Sequence, residues 1–151
     1  MRSKLFVPGD RPALFAKAMA GDADMLSFDL EDAVAVVAKA EARTQVSAYL
    51  RNAPHRAAGK QVIVRTNAWH SSAWEDDLRA LLPLDLDLIN LPKIESAEQL
   101  RQAAAEIEAI EARLGIRGRA GLLVNIETPR ALRHAVAIAT AHPRVRGLQL
   151  G

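Results

Sequence analysis

Short runs of nearly unbroken apolar residues alternate along this chain with longer stretches in which apolar residues recur every three or four positions. Unbroken runs rich in Val, Ile, Leu and Phe mark strands covered on both faces, and the longer spacing marks helices with one buried stripe. The pattern predicts strands over 4–7, 25–30, 61–66, 86–91, 122–126 and 145–150, with helices over 12–20, 38–51, 74–82, 97–114 and 129–141. Strand and helix therefore alternate strictly. That order implies a parallel sheet joined by right-handed crossovers, so the fold class is α/β.

The predicted boundaries carry their own signals. Pro12 and Pro129 suit the first turn of a helix, Ser96 followed by Gln99 resembles a capping box, and Gly115 is a left-handed stop for the long helix before it. At 151 residues the chain is short for a closed (β/α)8 barrel, which usually takes about 250, so length by itself favours an open doubly wound sheet. Against that, residues 146–151 read as a strand with no helix after it. No composition shift or low-complexity tract divides the chain, and residues 1–151 are expected to form one domain.

Half of the residues are hydrophobic and a quarter charged, the make-up of a globular chain with a real core, which excludes disordered and collagen-like classes. Twenty basic against eighteen acidic residues leave a net charge of +2, and the arginines of the second half are dispersed among hardly any aromatic residues, so a nucleic-acid interface is not expected. The absence of cysteine removes disulfides, thiolate metal sites and a cysteine nucleophile, and makes the cytoplasm the expected compartment. Apolar runs fall far short of the roughly 20 residues that span a bilayer, and the N-terminus reads as the start of a domain, not as a signal peptide.

In either α/β architecture, chemistry gathers at the carboxyl ends of the strands. The predicted strands end in Val7-Pro8-Gly9-Asp10-Arg11-Pro12, Asp29-Leu30-Glu31-Asp32, Arg65-Thr66-Asn67, Pro92-Lys93-Ile94-Glu95 and Asn125-Ile126-Glu127-Thr128. Asp32, Glu95 and Glu127, each just before a helix, have an ordinary structural reading as caps or dipole partners. Arg65 closes an apolar strand, where it needs an anion: either a rim carboxylate of the protein or a substrate carboxylate gripped through two parallel hydrogen bonds. Converging carboxylates with an Arg and a Lys suit a hard divalent cation such as Mg²⁺ and an anionic substrate, with the metal as Lewis acid toward an enolate-like transition state.

At these same residues the sequence resembles the citrate lyase beta subunit family, among the malyl- and citramalyl-thioester lyases and metal-dependent pyruvate aldolases of the HpcH/HpaI aldolase superfamily. The likeness runs from Leu5-Phe6-Val7-Pro8-Gly9-Asp10-Arg11-Pro12 through Asp29-Leu30-Glu31-Asp32-Ala33-Val34, Val64-Arg65-Thr66-Asn67 and Leu91-Pro92-Lys93-Ile94-Glu95-Ser96 to Ile126-Glu127-Thr128-Pro129 and Gly147-Leu148-Gln149-Leu150-Gly151. The resemblance implies a (β/α)8 TIM barrel, here truncated to about five βα units plus a sixth strand. It implies Mg²⁺-dependent carbon–carbon cleavage of a citryl-, malyl- or citramalyl-type thioester on coenzyme A or an acyl carrier protein, releasing a 2-oxo acid and an acyl thioester. It also implies a homo-oligomer, a trimer in intact relatives.

Position by position, the resemblance makes Glu127 the first Mg²⁺ ligand and Arg65 the holder of the substrate carboxylate. Glu31 and Asp32 become the acidic pair at the metal and its waters, Asp32 nearer the substrate. Pro8, Gly9, Arg11 and Lys93 line the thioester or phosphate entrance. The family's second metal carboxylate, an Asp, falls beyond Gly151, so reduced activity of this polypeptide alone is expected. A catalytically silent fragment and a pyruvate aldolase on a non-thioester substrate stand as the alternatives.

Other chemistries find little support. His55, His70, His134 and His142 lack metal-ligand spacing and are expected at the surface or at helix ends, and no GxSxG, phosphate-loop or dinucleotide motif is present. Gly115, Gly118 and Gly121 follow a helix and read as a turn. Trp69 and Trp74 flank the loop after the third strand, where they either touch substrate or cap the barrel, and capping is the expectation.

Overall fold

A computed structural model describes residues 2–151. Strands β1 (Lys4–Pro8), β2 (Met25–Asp29), β3 (Gln61–Arg65), β4 (Leu88–Leu91), β5 (Gly121–Ile126) and β6 (Val145–Leu150) form one parallel sheet in chain order. The helices are α1 (Phe15–Ala20), α2 (Lys39–Leu50), α3 (Pro54–Ala57), α4 (Trp74–Leu81), α5 (Ala97–Leu114), α6 (Pro129–Arg133) and α7 (Ala135–Ala139). A doubly wound sheet reverses its strand order at a switch point; this one never reverses. The sheet also curls, because Lys4 Nζ on β1 donates to Gln149 Oε1 on β6 and both strands wall one cavity. Six strands wound in one direction are the barrel-type arrangement, and the open doubly wound alternative is excluded.

The pleat sends alternate residues to opposite faces. On the outer face Val7, Leu26, Phe28, Val62, Val64, Ile89, Leu91, Leu122 and Val124 pack against Val46, Leu50, Leu78, Leu81, Leu100, Ile107 and Ile110 of the helices in one continuous core. Phe15 of α1 meets Phe28 edge to face at 5.0 Å. The inner face has a separate, smaller cluster of Met25, Ile63 and Leu123. Each fully buried large side chain contributes roughly 1.5–3 kcal/mol, so the outer face carries most of the stability.

Local signals acted as their chemistry requires. Ser96 Oγ accepts from Gln99 N at 3.1 Å, Gln99 Oε1 accepts in return from Glu95 N at 2.8 Å, and Gly115 ends α5 at φ 67°. The predicted helix over 129–141 divides at His134, whose N–H is shared between the carbonyls of Arg130 and Ala131 and tightens the turn. The predicted helix over 12–20 opens with a 3-10 turn, Pro12–Leu14. Helix α3 escaped the periodicity because four residues complete barely one turn; Pro54 at its first position marks it.

Two expectations are corrected. His55 is fully buried rather than superficial, packed where α3 meets the sheet, and burial pushes its imidazole below the usual histidine range. Trp69 and Trp74 do not cap the barrel: both indole N–H groups donate to Glu106 on α5, at 3.1 and 2.8 Å, so they pin the loop after β3 to an outer helix. Among the described residues no helix is long and apolar enough to cross a membrane.

Candidate active site

Five successive strands each deliver one polar side chain at or near the carboxyl end: Asp29 from β2, Arg65 from β3, Asn90 from β4, Asn125 from β5 and Gln149 from β6. Register makes this a layer, since Asp29 pairs with Arg65, Arg65 with Asn90, and Asn125 with Gln149. All lie on the face away from the helix-covered core, where a polar group must find a partner.

Arg65 finds it in Asp29. Its Nε donates to Oδ1 at 2.7 Å and its Nη2 to Oδ2 at 2.6 Å, a fork-on-carboxylate pair, and the backbone N–H groups of Glu31 and Ala33 also donate to Asp29. Burial alone would raise the Asp29 carboxyl; the Arg65 hydrogen bonds and these amides outweigh it and hold it below the usual carboxylate range. The Asp29 hydrogen bonds in turn raise the Arg65 guanidinium. Its remaining terminal nitrogen faces Glu31 at 3.2 Å and Asp32 at 3.7 Å. The bidentate grip that sequence reasoning allowed for a substrate is thus taken by a protein carboxylate, and Arg65 offers a ligand its residual N–H groups and its charge.

Glu31 is buried behind Arg65, and burial pushes its carboxyl up despite Lys93, whose Nζ lies 2.8 Å from Glu31 Oε1 and 3.3 Å from Asp32 Oδ1. Hydrogen bonding to Glu31 raises the Lys93 ammonium. Asp32 remains open to solvent at the cavity wall. Lys93 also serves through its backbone: held at φ 57°, a conformation few side chains adopt, it points its N–H at Glu127 Oε2, 2.9 Å away.

Glu127 follows β5. Its second oxygen accepts from Asn125 Nδ2 at 2.8 Å, and Asn125 Oδ1 accepts from Asn90 Nδ2 at 2.7 Å, a relay that fixes the carboxylate's orientation. Each Glu127 oxygen therefore holds one hydrogen bond and keeps lone-pair capacity. A Cβ on Gly151 would stand 2.9 Å from Glu127 Cγ, so the bare backbone leaves the carboxylate room. Among the described residues no group of three or more His, Cys, Asp or Glu is arranged to share a metal. Mg²⁺ requires no such group: one or two carboxylates with water and substrate oxygens suffice, and Glu127 fits as one oxygen donor.

A cavity of about 450 Å³ opens at this rim, walled by Phe6, Pro8, Asp29, Ala33, Leu150 and Gly151 together with Asp32, Arg65, Asn125, Glu127 and Gln149. Of the residues singled out from sequence, it brings together Pro8, Asp32, Arg65 and Glu127, with Glu31 and Lys93 directly behind them. Gly9 and Arg11 are elsewhere. Gly9 is buried where β1 presses on β2: its N–H donates to Asp29 O, and a Cβ would come within 2.6 Å of that oxygen and 2.9 Å of Leu30 Cδ2. Its requirement is close backbone approach, not an entrance for a ligand. The Arg11 side chain is 71% exposed, 3.8 Å from Asp10, and off the cavity. Sequence reasoning passed over Asp29, Asn90, Asn125 and Gln149 as site residues. The usable signal was the one applied to Arg65: a polar residue inside an apolar strand.

Comparison with known proteins agrees with this geometry. Residues 2–151 match the family model described as HpcH/HpaI aldolase/citrate lyase. The chain is 39% identical to the citrate lyase subunit beta of Escherichia coli strain K12, over 99% of its own length and 49% of the relative's. It is 35% identical to the L-malyl-CoA/beta-methylmalyl-CoA lyase of Rhodobacter capsulatus, over 99% and 48%. The crystal structure of CitE from Mycobacterium tuberculosis with magnesium, acetoacetate and coenzyme A superposes with a TM-score of 0.76 at 32% identity, covering 98% of this chain and 47% of that one. The chain thus spans about half the length of the curated relatives it matches. With the match running along almost all its residues, the chain belongs to the HpcH/HpaI aldolase/citrate lyase family.

Proposed function

We propose that this chain carries the site of a Mg²⁺-dependent carbon–carbon lyase that cleaves a citryl-, malyl- or citramalyl-type thioester, borne on coenzyme A or an acyl carrier protein, to a 2-oxo acid and an acyl thioester. The observation that carries the reading is the convergence of Arg65 and Glu127, remote in sequence, on the wall of one cavity at the carboxyl edge of a curled parallel sheet. Two of the relatives named above are lyases, and the CitE structure contains magnesium and coenzyme A. Residues 1–151 act in this reading as one partial barrel domain of a cytoplasmic homo-oligomer.

Each protein group has a task its surroundings support. Glu127, oriented by Asn125 and the Lys93 N–H, would hold Mg²⁺. When bound, the ion supplies Lewis-acid stabilisation of developing negative charge on a substrate oxygen. Arg65, held flat by Asp29, presents positive charge to the substrate carboxylate. Asp32 lines the cavity and would accept the hydroxyl proton whose loss begins retro-aldol cleavage. Glu31 and Lys93 keep the rim charges paired and so position Arg65 and Asp32.

Calorimetric titration with glyoxylate or oxaloacetate, with and without Mg²⁺, tests the reading. Binding is expected to require Mg²⁺ and to fall at least tenfold in both Glu127→Gln and Arg65→Ala. Unchanged binding by the two variants would remove both residues from the site. One observation favours a second reading, a pyruvate aldolase acting on a non-thioester substrate: Gly9 and Arg11, the residues expected at the thioester entrance, lie off the cavity. Discrimination between an oxo acid and its thioester adduct in the same titration decides between the two.

A further inference from the structure

Lys39 has no task in the scheme above, yet it grips the segment that carries the two rim acids. It opens α2, half-buried, and turns its side chain back to the end of β2, where Nζ donates to Leu30 O at 2.9 Å and to Glu31 O at 2.8 Å. A cation in the first turn of a helix is opposed by the helix dipole, and Ala38 before it supplies no side-chain cap, so helix formation does not explain a lysine here. The two carbonyls are what the ammonium meets: among the described residues it pairs with no carboxylate.

Residues 30–38 connect β2 to α2, and few contacts fasten them. From the strand side, Asp29 accepts from the N–H groups of Glu31 and Ala33 at 2.9 and 3.0 Å, and Val34 is buried in the core. At the tip, Val36 and Val37 are 82% and 95% exposed and lend the connection almost no packing. Lys39 therefore closes from the helix side what Asp29 holds from the strand side. The two grips meet at Glu31, whose N–H is bound by Asp29 and whose C=O, part of the peptide that leads into Asp32, is bound by Lys39.

Asp32 depends on that peptide. Its side chain is 61% exposed, and its ion contacts, to Lys93 at 3.3 Å and to Arg65 at 3.7 Å, are too long and too solvated to fix it by themselves. We propose that Lys39 is a positioning residue of the site: it sets the backbone at Glu31 and so holds the Asp32 carboxylate on the cavity wall, without touching substrate itself. The inference rests on the proton-accepting role proposed for Asp32, and its consequence is specific. Loss of Lys39 should impair the step that Asp32 serves and spare substrate binding, which belongs to Arg65 and Glu127.

Hydrogen exchange read by mass spectrometry tests the grip without any need of turnover. In Lys39→Met, a straight side chain without donors, amides of residues 31–34 are expected to exchange at least tenfold faster while those of β1, β3 and β5 keep their rates. Lys39→Arg, whose head has donors for both carbonyls, should restore the protection. Cleavage of malyl-coenzyme A by the full chain in Mg²⁺ tests the link to Asp32: Lys39→Met should lower kcat at least tenfold with KM within threefold, and Lys39→Arg should recover most of the loss. Lys39→Gln, which keeps one donor, replaces Lys39→Met should that variant fail to fold, with the same direction expected in both measurements. Unchanged exchange at residues 31–34, a kcat within threefold of the unaltered chain, or a loss carried by KM overturns the proposal. Absence of cleavage by the unaltered chain overturns the lyase reading alone, and the exchange measurement then decides the task of Lys39.

Discussion

The two faces of one sheet, built from alternate residues of the same strands, obey opposite rules. On the outer face Leu26, Phe28, Val62, Val64, Ile89 and Val124 form continuous apolar contact with the helices. On the inner face the apolar cluster is brief, Met25 with Ile63 and Leu123, and above it come Asp29, Arg65, Asn90, Asn125 and Gln149. A helix layer excludes water and makes each unpaired polar group costly. The curled interior encloses a cavity in which polar groups are held by one another. The difference teaches that stability and chemistry are separated here by a single-residue step along a strand.

The largest expected effect strikes the outer face. Phe28→Ala should cost about 3–5 kcal/mol in urea unfolding, because it removes a fully buried ring from contact with Phe15 and Tyr49. Met25→Ala on the inner face should cost less than Phe28→Ala; an equal or larger loss would break the comparison.

Next comes the inner ion pair. Asp29→Ala should cost about 3 kcal/mol, since it strips a buried guanidinium of its two-point partner, and the double variant Asp29→Ala with Arg65→Met should recover part of that loss. Equilibrium unfolding of the two single variants and the double checks this directly. Purely additive losses would show that the two side chains do not depend on each other.

A smaller effect belongs to neither face. Thr128→Ala removes the oxygen that accepts from Ala131 N at 3.1 Å and donates to Glu95 at 2.9 Å, and thermal melts should report about 1 kcal/mol.

The smallest effect concerns pH and the inner face. Lys4 titrates near 10.5 in the unfolded chain and at about 8 when folded, lowered first by burial. Between those values the unfolded chain binds more protons, so this group adds stability as pH rises from about 8 to 10.5. The stability difference between the unaltered chain and Lys4→Met should therefore shift in favour of the unaltered chain across that window, and a constant difference would show that the ammonium is already compensated.

The strand and helix order, the stops at Gly115 and Ser96 and the motif-bearing rim were legible along the chain because each depends on residues a few positions apart. Periodicity reads covered strands well, and six strands lie close to where it put them. The break at His134 was not legible, since it arises from a shared backbone hydrogen bond in a segment whose apolar spacing is unbroken. Nor was the burial of His55, which sits in a helix of one turn.

What the sequence determined by itself is local: an apolar run with an Arg at its end, a carboxylate before a helix, and an order of elements that permits only a parallel sheet. Tertiary structure alone decided which anion Arg65 meets, that Gly9 serves backbone contact, and that Lys4 reaches Gln149 across the sheet. The physical reason is that these outcomes depend on register between strands and on the curl that brings β1 to β6, and distances of a few ångströms between residues up to 145 positions apart have no trace in a linear pattern.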